Sequence, residues 1–330
     1  MSRHRDQVAA ALAAVTIRGP ARYAWLGRGS RPLPASVGAH LDEAGRRGYL
    51  VACLREELYW SFYCRGAPVP ARWGEPESVS ADPWLVEAMS RANTGRGSWE
   101  PGWTVERLDG EEAVAASSQL RARIPLGDCR ALADGIAPGA PVAVRLPKEL
   151  PSLSPGFSTI VSDAPRGAEW QQSIVRVYWN VGPAGAPALV RALTSRLNRR
   201  EVPFRLKVAD HAFRLDRCDA AVLYLPAGDF AVLRGTLRQL AATRSAQLRP
   251  EVPAFTLELA PGVGAAEDGG DGESFGVRRC ALLADAIVRA HELGAAGPAA
   301  LDVVATRFAE DGVQLDAPYL EPSLAGRHVL

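Results

Sequence analysis

Lys207, Arg176, Arg217, His211, Tyr178 and Tyr224 all fall within one stretch, Ser173 to Tyr224. Together these side chains can accept a proton, hold an anion and donate a hydroxyl proton. Lys207 stands out by composition. Of the 38 Lys and Arg residues only Lys148 and Lys207 are lysines, a bias that fits a GC-rich coding sequence. A lysine kept under that bias points to work arginine cannot do, which is to lose its proton at a reachable pH and act as a base. Lys207 lies among Phe204, Leu206 and Val208, where desolvation and neighbouring arginines would both lower its pKa. The plain alternative is a lysine at a sheet edge.

The stretch that positions these groups reads strand (Ser173 to Asn180), helix (Pro187 to Arg199), strand (Phe204 to Val208), polar loop, and strand (Asp219 to Leu225). Alternation puts Arg176, Tyr178 and Asn180 on one face of the first strand and Val175, Val177 and Trp179 on the other. Lys207, the loop residues His211, Arg214 and Arg217, and Tyr224 would then share one polar cleft with them. The competing reading is a sheet with one solvated face. A second cluster follows in Glu273-Ser-Phe-Gly-Val-Arg-Arg-Cys280. Here Ser274 would cap a helix whose first turn, with Arg278 and Arg279, forms a cradle for an oxyanion or phosphate.

The rest of the chain supports these elements. Gln7 to Val15 reads as a helix, followed by a Gly/Arg/Pro-rich loop through Pro34. Tyr49 to Tyr63 is a second helix, with apolar residues at spacings of three and four and Gly66 at its end. Asp82-Pro83 opens a third helix, running to Asn93. Trp84, Trp99 and Trp103 read as core or lid residues. Strands are expected at Thr104 to Leu108, Ala113 to Ala116, Gln119 to Ile124 and Val142 to Leu146, so that 103 to 180 forms a strand-rich meander. Beyond Tyr224 come a helix (Phe230 to Ala242), a strand (Phe255 to Leu259), a glycine- and acid-rich loop (Gly262 to Glu273) and helices at Ser274 to Leu293 and Ala299 to Phe308. The expected fold is α+β: a helical N-terminal region, 1–102, then a mixed, mostly antiparallel sheet flanked by helices, 103–330.

Other chemistries lack their signatures. The 330 residues carry a net charge of +1, which argues against nucleic-acid or membrane partners. No apolar run approaches the roughly 20 residues of a membrane span. The five scattered cysteines have no C-x-x-C pair, which reads as reduced thiols of a cytoplasmic protein and disfavours a zinc site. No G-x-G-x-x-G, G-x-S-x-G or kinase motif occurs, and no ligand cluster calls for a metal.

Several motifs resemble a known family. Tyr59-Trp-Ser-Phe-Tyr-Cys-Arg-Gly66, Ala92-Asn-Thr-Gly-Arg-Gly-Ser-Trp99, Arg145-Leu-Pro-Lys-Glu149, Arg176-Val-Tyr-Trp-Asn180 and Pro203-Phe-Arg-Leu-Lys207 are similar to the Hop-A-type effector-like family. So are Asp219-Ala-Ala-Val-Leu-Tyr-Leu225, Val252-Pro-Ala-Phe-Thr256 and Ser274-Phe-Gly-Val-Arg-Arg-Cys280. That family includes type III effectors and the lyase components of class V lanthipeptide and thioamitide pathways. The resemblance implies a relation to phosphothreonine lyases, which eliminate phosphate from a phosphorylated side chain. It implies as partners a phosphorylated precursor peptide, the kinase-like protein that modifies it and a cyclase, with no cofactor. In those lyases a lysine of a K-V strand removes the Cα proton, and Lys207-Val208 fits that place. Their upstream K-x-H, whose histidine protonates the leaving phosphate, is replaced here by Arg176-Val177-Tyr178, which makes Tyr178 the candidate acid. Arg217, Tyr224 and Arg278 or Arg279 match the phosphate-holding residues in order. His211 is the next candidate base. The reading from a different class is a non-catalytic phosphopeptide- or leader-binding scaffold; an effector-type lyase is a third.

Overall fold

The computed structural model describes residues 2–30, 33–70, 79–118, 120–150, 153–165, 170, 173–269 and 274–330. The chain opens with α1 (Arg3–Ala14) and a small antiparallel sheet of β1 (Val15–Gly19), β2 (Arg22–Trp25) and β3 (Arg28–Gly29), where the sequence suggested only a loop. The short α2 (Ala35–Gly38) leads into α3 (Glu43–Ser61), which starts six residues earlier than its apolar spacing suggested. Asp42 supplies the start, accepting the Gly45 N–H at 2.7 Å. Gly66 ends the following turn in the left-handed region at φ 77°, as its place in the sequence implied. In α4 (Pro83–Ala92), Asp82 accepts the N–H groups of Trp84 and Leu85 at 3.0 and 3.3 Å, a cap worth about 1 kcal/mol.

A five-stranded sheet follows, formed by β4 (Ser98–Asp109), β5 (Glu112–Ala116), β6 (Arg121–Pro125), β7 (Cys129–Ala131) and β8 (Pro141–Leu146) in the order β6-β5-β4-β8-β7. Its own small core holds Trp103, Val105 and Val144. The expected meander of 103 to 180 is thus divided, because β9 (Phe157–Val161) joins a different sheet. Gln119, placed in the third expected strand, lies outside the described residues. Of the three tryptophans Trp103 is core, Trp99 lies under the Arg130 guanidinium at 4.4 Å, and Trp84 is 79% exposed. A core position for Trp84 is therefore corrected; it stands on the outer side of the first turn of α4.

The central sheet comprises β9, β10 (Ile174–Trp179), β11 (Arg205–Ala209), β12 (Ala221–Pro226), β13 (Leu257–Ala260) and β14 (Val263–Asp268), in the order β13-β14-β10-β12-β11-β9. Every pairing is antiparallel. The helices are α5 (Ala186–Asn198), α6 (Ala227–Thr243), α7 (Phe275–Glu292) and α8 (Pro298–Glu310). Val175, Val177, Trp179, Leu206, Val208, Leu223 and Leu225 pack one face of the sheet against α4, α5 and α6. Ile174, Tyr178, Val222 and Tyr224 meet α1, α3, α7 and α8 on the other. Layering helices on both faces buries all six residues of β10 and of β12, which removes the reading of a solvated face. The second core draws on residues from both sides of residue 102. The result is an α+β fold.

The acid-rich loop expected over Gly262 to Glu273 is also corrected. Residues 263–268 form β14, buried along its whole length beside β10; 270–273 lie outside the described residues. Ala265 packs in the first core and Ala266 in the second, on opposite faces of that strand, and a composition rich in Gly and Ala hides a strand from pattern reading.

Candidate active site

Two cross-strand rows carry the chemistry. In the first, Ala266, Arg176, Tyr224, Arg205 and Val161 lie side by side from β14 to β9; in the second, Gly264, Tyr178, Val222, Lys207 and Thr159 do. Directly paired residues of antiparallel strands point to the same face. Arg176, Tyr178, Arg205, Lys207 and Tyr224 therefore share the face toward α3 and α7.

The Tyr224 ring is the hub. The Arg205 guanidinium carbon lies 4.4 Å from its centroid, that of Arg176 5.7 Å, and Lys207 Nζ 5.7 Å. An aromatic face attracts each cation, but it does not cancel their mutual repulsion. Burial first, then Arg205 and Arg176, lowers the Lys207 pKa from 10.5 to about 8. A half-buried amine is thereby brought near the range where it can serve as a base. Beside it, Thr159 Oγ1 is buried and makes no hydrogen bond among the described residues.

The arginines are held by carboxylates. Arg176 Nε donates to Asp268 Oδ2 at 2.6 Å, within a pair almost fully removed from solvent. Arg217 donates through Nη2 to Asp219 Oδ2 at 2.6 Å and to the Tyr59 hydroxyl at 2.7 Å, and lies 4.9 Å from the Trp60 ring. These contacts orient the guanidinium forks and offset part of the charge that a phosphate would meet. Asp268 lies in the segment taken for a loop, so the sequence gave no reason to count it. Arg205 could have been found: it precedes Lys207 by two residues, and strand residues i and i+2 share a face.

The remaining candidates separate. Tyr178 is 3% exposed, packed with Tyr63 and Phe275 in the second core. By geometry its hydroxyl makes no hydrogen bond among the described residues, although the Tyr63 phenol is close enough to influence it. Burial raises its pKa and outweighs the opposing pull of Arg176. Gly276, in the first turn of α7, leaves the room that Tyr63 fills; a Cβ there would collide with its ring.

Ser274 occupies the position before α7 without a capping hydrogen bond from its side chain, which corrects the expected cap. Arg279 is 1% exposed and donates to the Pro318 and Leu320 carbonyls at 2.8 and 3.0 Å, bracing the C-terminal segment. Burial takes its pKa down to about 10. Arg278 faces Glu321 at 3.5 Å. Asn180 lies past the end of β10 and donates to the Glu251 carbonyl at 3.0 Å. His211 lies past the end of β11, beyond Lys207 and away from the Arg176 row, and its Nδ1 accepts the Phe213 N–H at 3.1 Å. The Tyr224 ring thus gathers Arg176, Arg205 and Lys207, while Arg217 is held by Asp219 and Tyr59, Arg278 by Glu321 and Arg279 by backbone carbonyls.

Among the described residues no three His, Cys, Asp or Glu side chains gather as a metal site requires, and no helix is long and apolar enough to cross a membrane. All five cysteines are free thiols.

Solved structures that resemble this one include two effector proteins. The effector protein from Pseudomonas syringae pv. tomato strain DC3000 is 18% identical with a TM-score of 0.45, over 72% of this chain and 80% of that one. The effector protein from Pseudomonas syringae pv. syringae strain 61 is 16% identical with a TM-score of 0.43, over 74% of this chain and 85% of that one. No curated protein matches. The model of the HopA1 effector protein family matches residues 149–320, a span that contains the whole central sheet and its Lys207 row, and the chain belongs to that family.

Proposed function

We propose that the protein is a phosphoserine/phosphothreonine lyase that leaves dehydroalanine or dehydrobutyrine in a ribosomal precursor peptide during lanthipeptide or thioamitide maturation. It would act in the cytoplasm after a kinase-like partner has phosphorylated the peptide and before a cyclase. The observation that carries the reading is Lys207, half-buried beside Arg176, Arg205 and Tyr224 with its pKa lowered to about 8.

The Cα proton of a peptide residue is weakly acidic, so elimination needs a base and stabilisation of the charge that develops. Lys207 Nζ takes that proton. The C–H electron pair becomes the Cα=Cβ bond, the Cβ–O bond breaks, and phosphate leaves with the bonding pair. Arg176 and Arg205 flank the position where its oxygens would lie, and guanidinium forks suit them. Tyr178 is the side chain of this face placed to return a proton to the leaving oxygen, once substrate reaches it. Arg217 shares the Tyr178 side of the site through Asp219. No redox step is involved.

A second reading, a phosphopeptide- or leader-binding scaffold, is favoured by one observation: Arg176 and Arg217 are already paired with Asp268 and Asp219, and Tyr178 is sealed from solvent. The family to which the chain belongs is one of effector proteins, so a lyase acting on another organism's protein is a third. Incubating the protein with a phosphothreonine peptide and adding a thiol separates these. A lyase gives loss of phosphoric acid and a thiol adduct at the new double bond, whereas a scaffold returns the phosphopeptide unchanged.

A further inference from the structure

An open groove runs along β1 at the opposite end of α7 from the Lys207 face. One cavity of about 620 Å³ borders Val15, Thr16 and Ile17, and a second of about 720 Å³ borders Ile17, Gly19 and Pro20. The last turns of α7 form the facing wall: Ile287 lines the first cavity, Val288 and Glu292 the second, and His291 both. The two cavities thus follow a strand from end to end.

Among the described residues that strand is one of the two edges of its sheet, in the order β1-β2-β3. Which of its backbone groups face the groove follows from the hydrogen bonds around it. Leu26 N–H donates to the Ala14 carbonyl at 2.7 Å, so pairs two residues on, such as Thr16 with Ala24, are the hydrogen-bonded ones. Ile17 pairs with Tyr23, whose carbonyl accepts from Ser30 N–H and whose N–H donates to Ser30 Oγ. Tyr23 therefore turns its backbone away from β1. The N–H and C=O of Ile17 therefore point away from β2, on the edge of the strand that borders the groove.

We propose that an extended segment of the substrate peptide docks here as a fourth strand beside β1. A peptide strand answers the outward Ile17 donor and acceptor, and its alternate side chains enter the apolar cavities. Where the groove meets the start of α3, its lining carries Asp42, Glu43 and Glu292 against a single guanidinium, Arg47, which is already paired with Glu292 at 2.8 Å. The excess of carboxylates selects a basic residue at that end of the segment. The 18 residues of α7 separate the groove from the Tyr178 side of the site, about 27 Å at 1.5 Å per residue. Docking and elimination on one peptide therefore require roughly eight extended residues between them.

The proposal rests on the lyase reading only for the identity of the peptide. The test uses an unphosphorylated, fluorescein-labelled nine-residue probe alternating valine and threonine with an arginine at either end, followed by anisotropy. The expected result is binding to the wild type, and a loss of at least tenfold when the probe is N-methylated on one set of alternate amides but not on the other. Ile17→Pro, which removes the outward donor together with the isoleucine side chain, gives the same loss, whereas Ile17→Val, which keeps the donor, and Lys207→Arg leave binding unchanged. Absence of binding, or equal binding of both methylated probes, overturns the proposal. So does a dimer in light scattering that the probe does not dissociate, because β1 is then taken by a second copy. Failure of elimination with binding intact counts against the lyase reading alone.

Discussion

Lys207 and Tyr178 stand in one cross-strand row of the central sheet, with Val222 of β12 between them. Two strand spacings, about 10 Å, separate their backbones, and both side chains rise from the same face. A phosphorylated residue lying over Val222 would have the lysine on one side and the phenol on the other. This arrangement suits an elimination in which one group takes a proton and another returns it. The two differ in access, since Lys207 is half-buried and Tyr178 is sealed beneath Tyr63 and Phe275.

A base works only when deprotonated, so kcat/KM should rise with pH and level off above about 8, the value to which burial, Arg205 and Arg176 bring Lys207. Removing one of the two cations by Arg205→Gln should shift that rise to higher pH. An identical pH profile in the variant would show that the titrating group is not Lys207.

The same shift predicts a stability cost. The Lys207 pKa is lower in the folded protein, about 8, than its ordinary 10.5. The unfolded chain therefore binds more protons between those values, and stability rises with pH through that window. At pH 7 the folded state holds an ammonium ion crowded by Arg176 and Arg205. Lys207→Met should raise the Tm at pH 7, with a smaller gain at pH 10; thermal melts at the two pH values check both the sign and its decline.

Asp268 should prove structural as well as orienting. Asp268→Asn leaves the Arg176 charge buried without its carboxylate, and breaking a buried pair in this way costs about 3–5 kcal/mol. Adding Arg176→Met should recover much of that loss. Urea unfolding of the two single variants and the double variant measures it; additive losses would mean the pair is not coupled.

Tyr178→Phe separates a catalytic role from a structural one. The hydroxyl is buried and makes no hydrogen bond among the described residues, so deleting it should leave stability unchanged or raise it by about 1 kcal/mol. If the phenol protonates the leaving phosphate, elimination should slow by on the order of 10²-fold. A substrate whose leaving group needs no proton should recover that rate. A fall in stability without a change in rate would assign Tyr178 to the core alone.

What the sequence revealed follows from how local each signal is. Alternation along Arg176, Tyr178 and Asn180 was readable because a strand has a period of two. The caps at Asp82 and Gly66 were readable because they depend on a few neighbouring residues. The rarity of lysine pointed to Lys207 with no structural information. Asp268 was hidden because Gly- and Ala-rich strands resemble loops. The burial of Tyr178 and Arg279 was hidden because it comes from helices distant in sequence. Arg217 and the Arg278–Arg279 pair were matched by order along the chain, and order carries no information about which carboxylates or carbonyls a fold brings to them.

Lys207→Arg isolates the base from the charge, because it keeps the positive charge on β11 but cannot release its proton. The measurement is single-turnover mass spectrometry on a phosphothreonine peptide bound to saturation, comparing wild type with variant. The wild type should convert the peptide to its dehydrated form, while the variant, still folded and still binding, should be slower by on the order of 10²–10⁴-fold. Dehydration at the wild-type rate by Lys207→Arg would contradict that and move the search for the base away from Lys207.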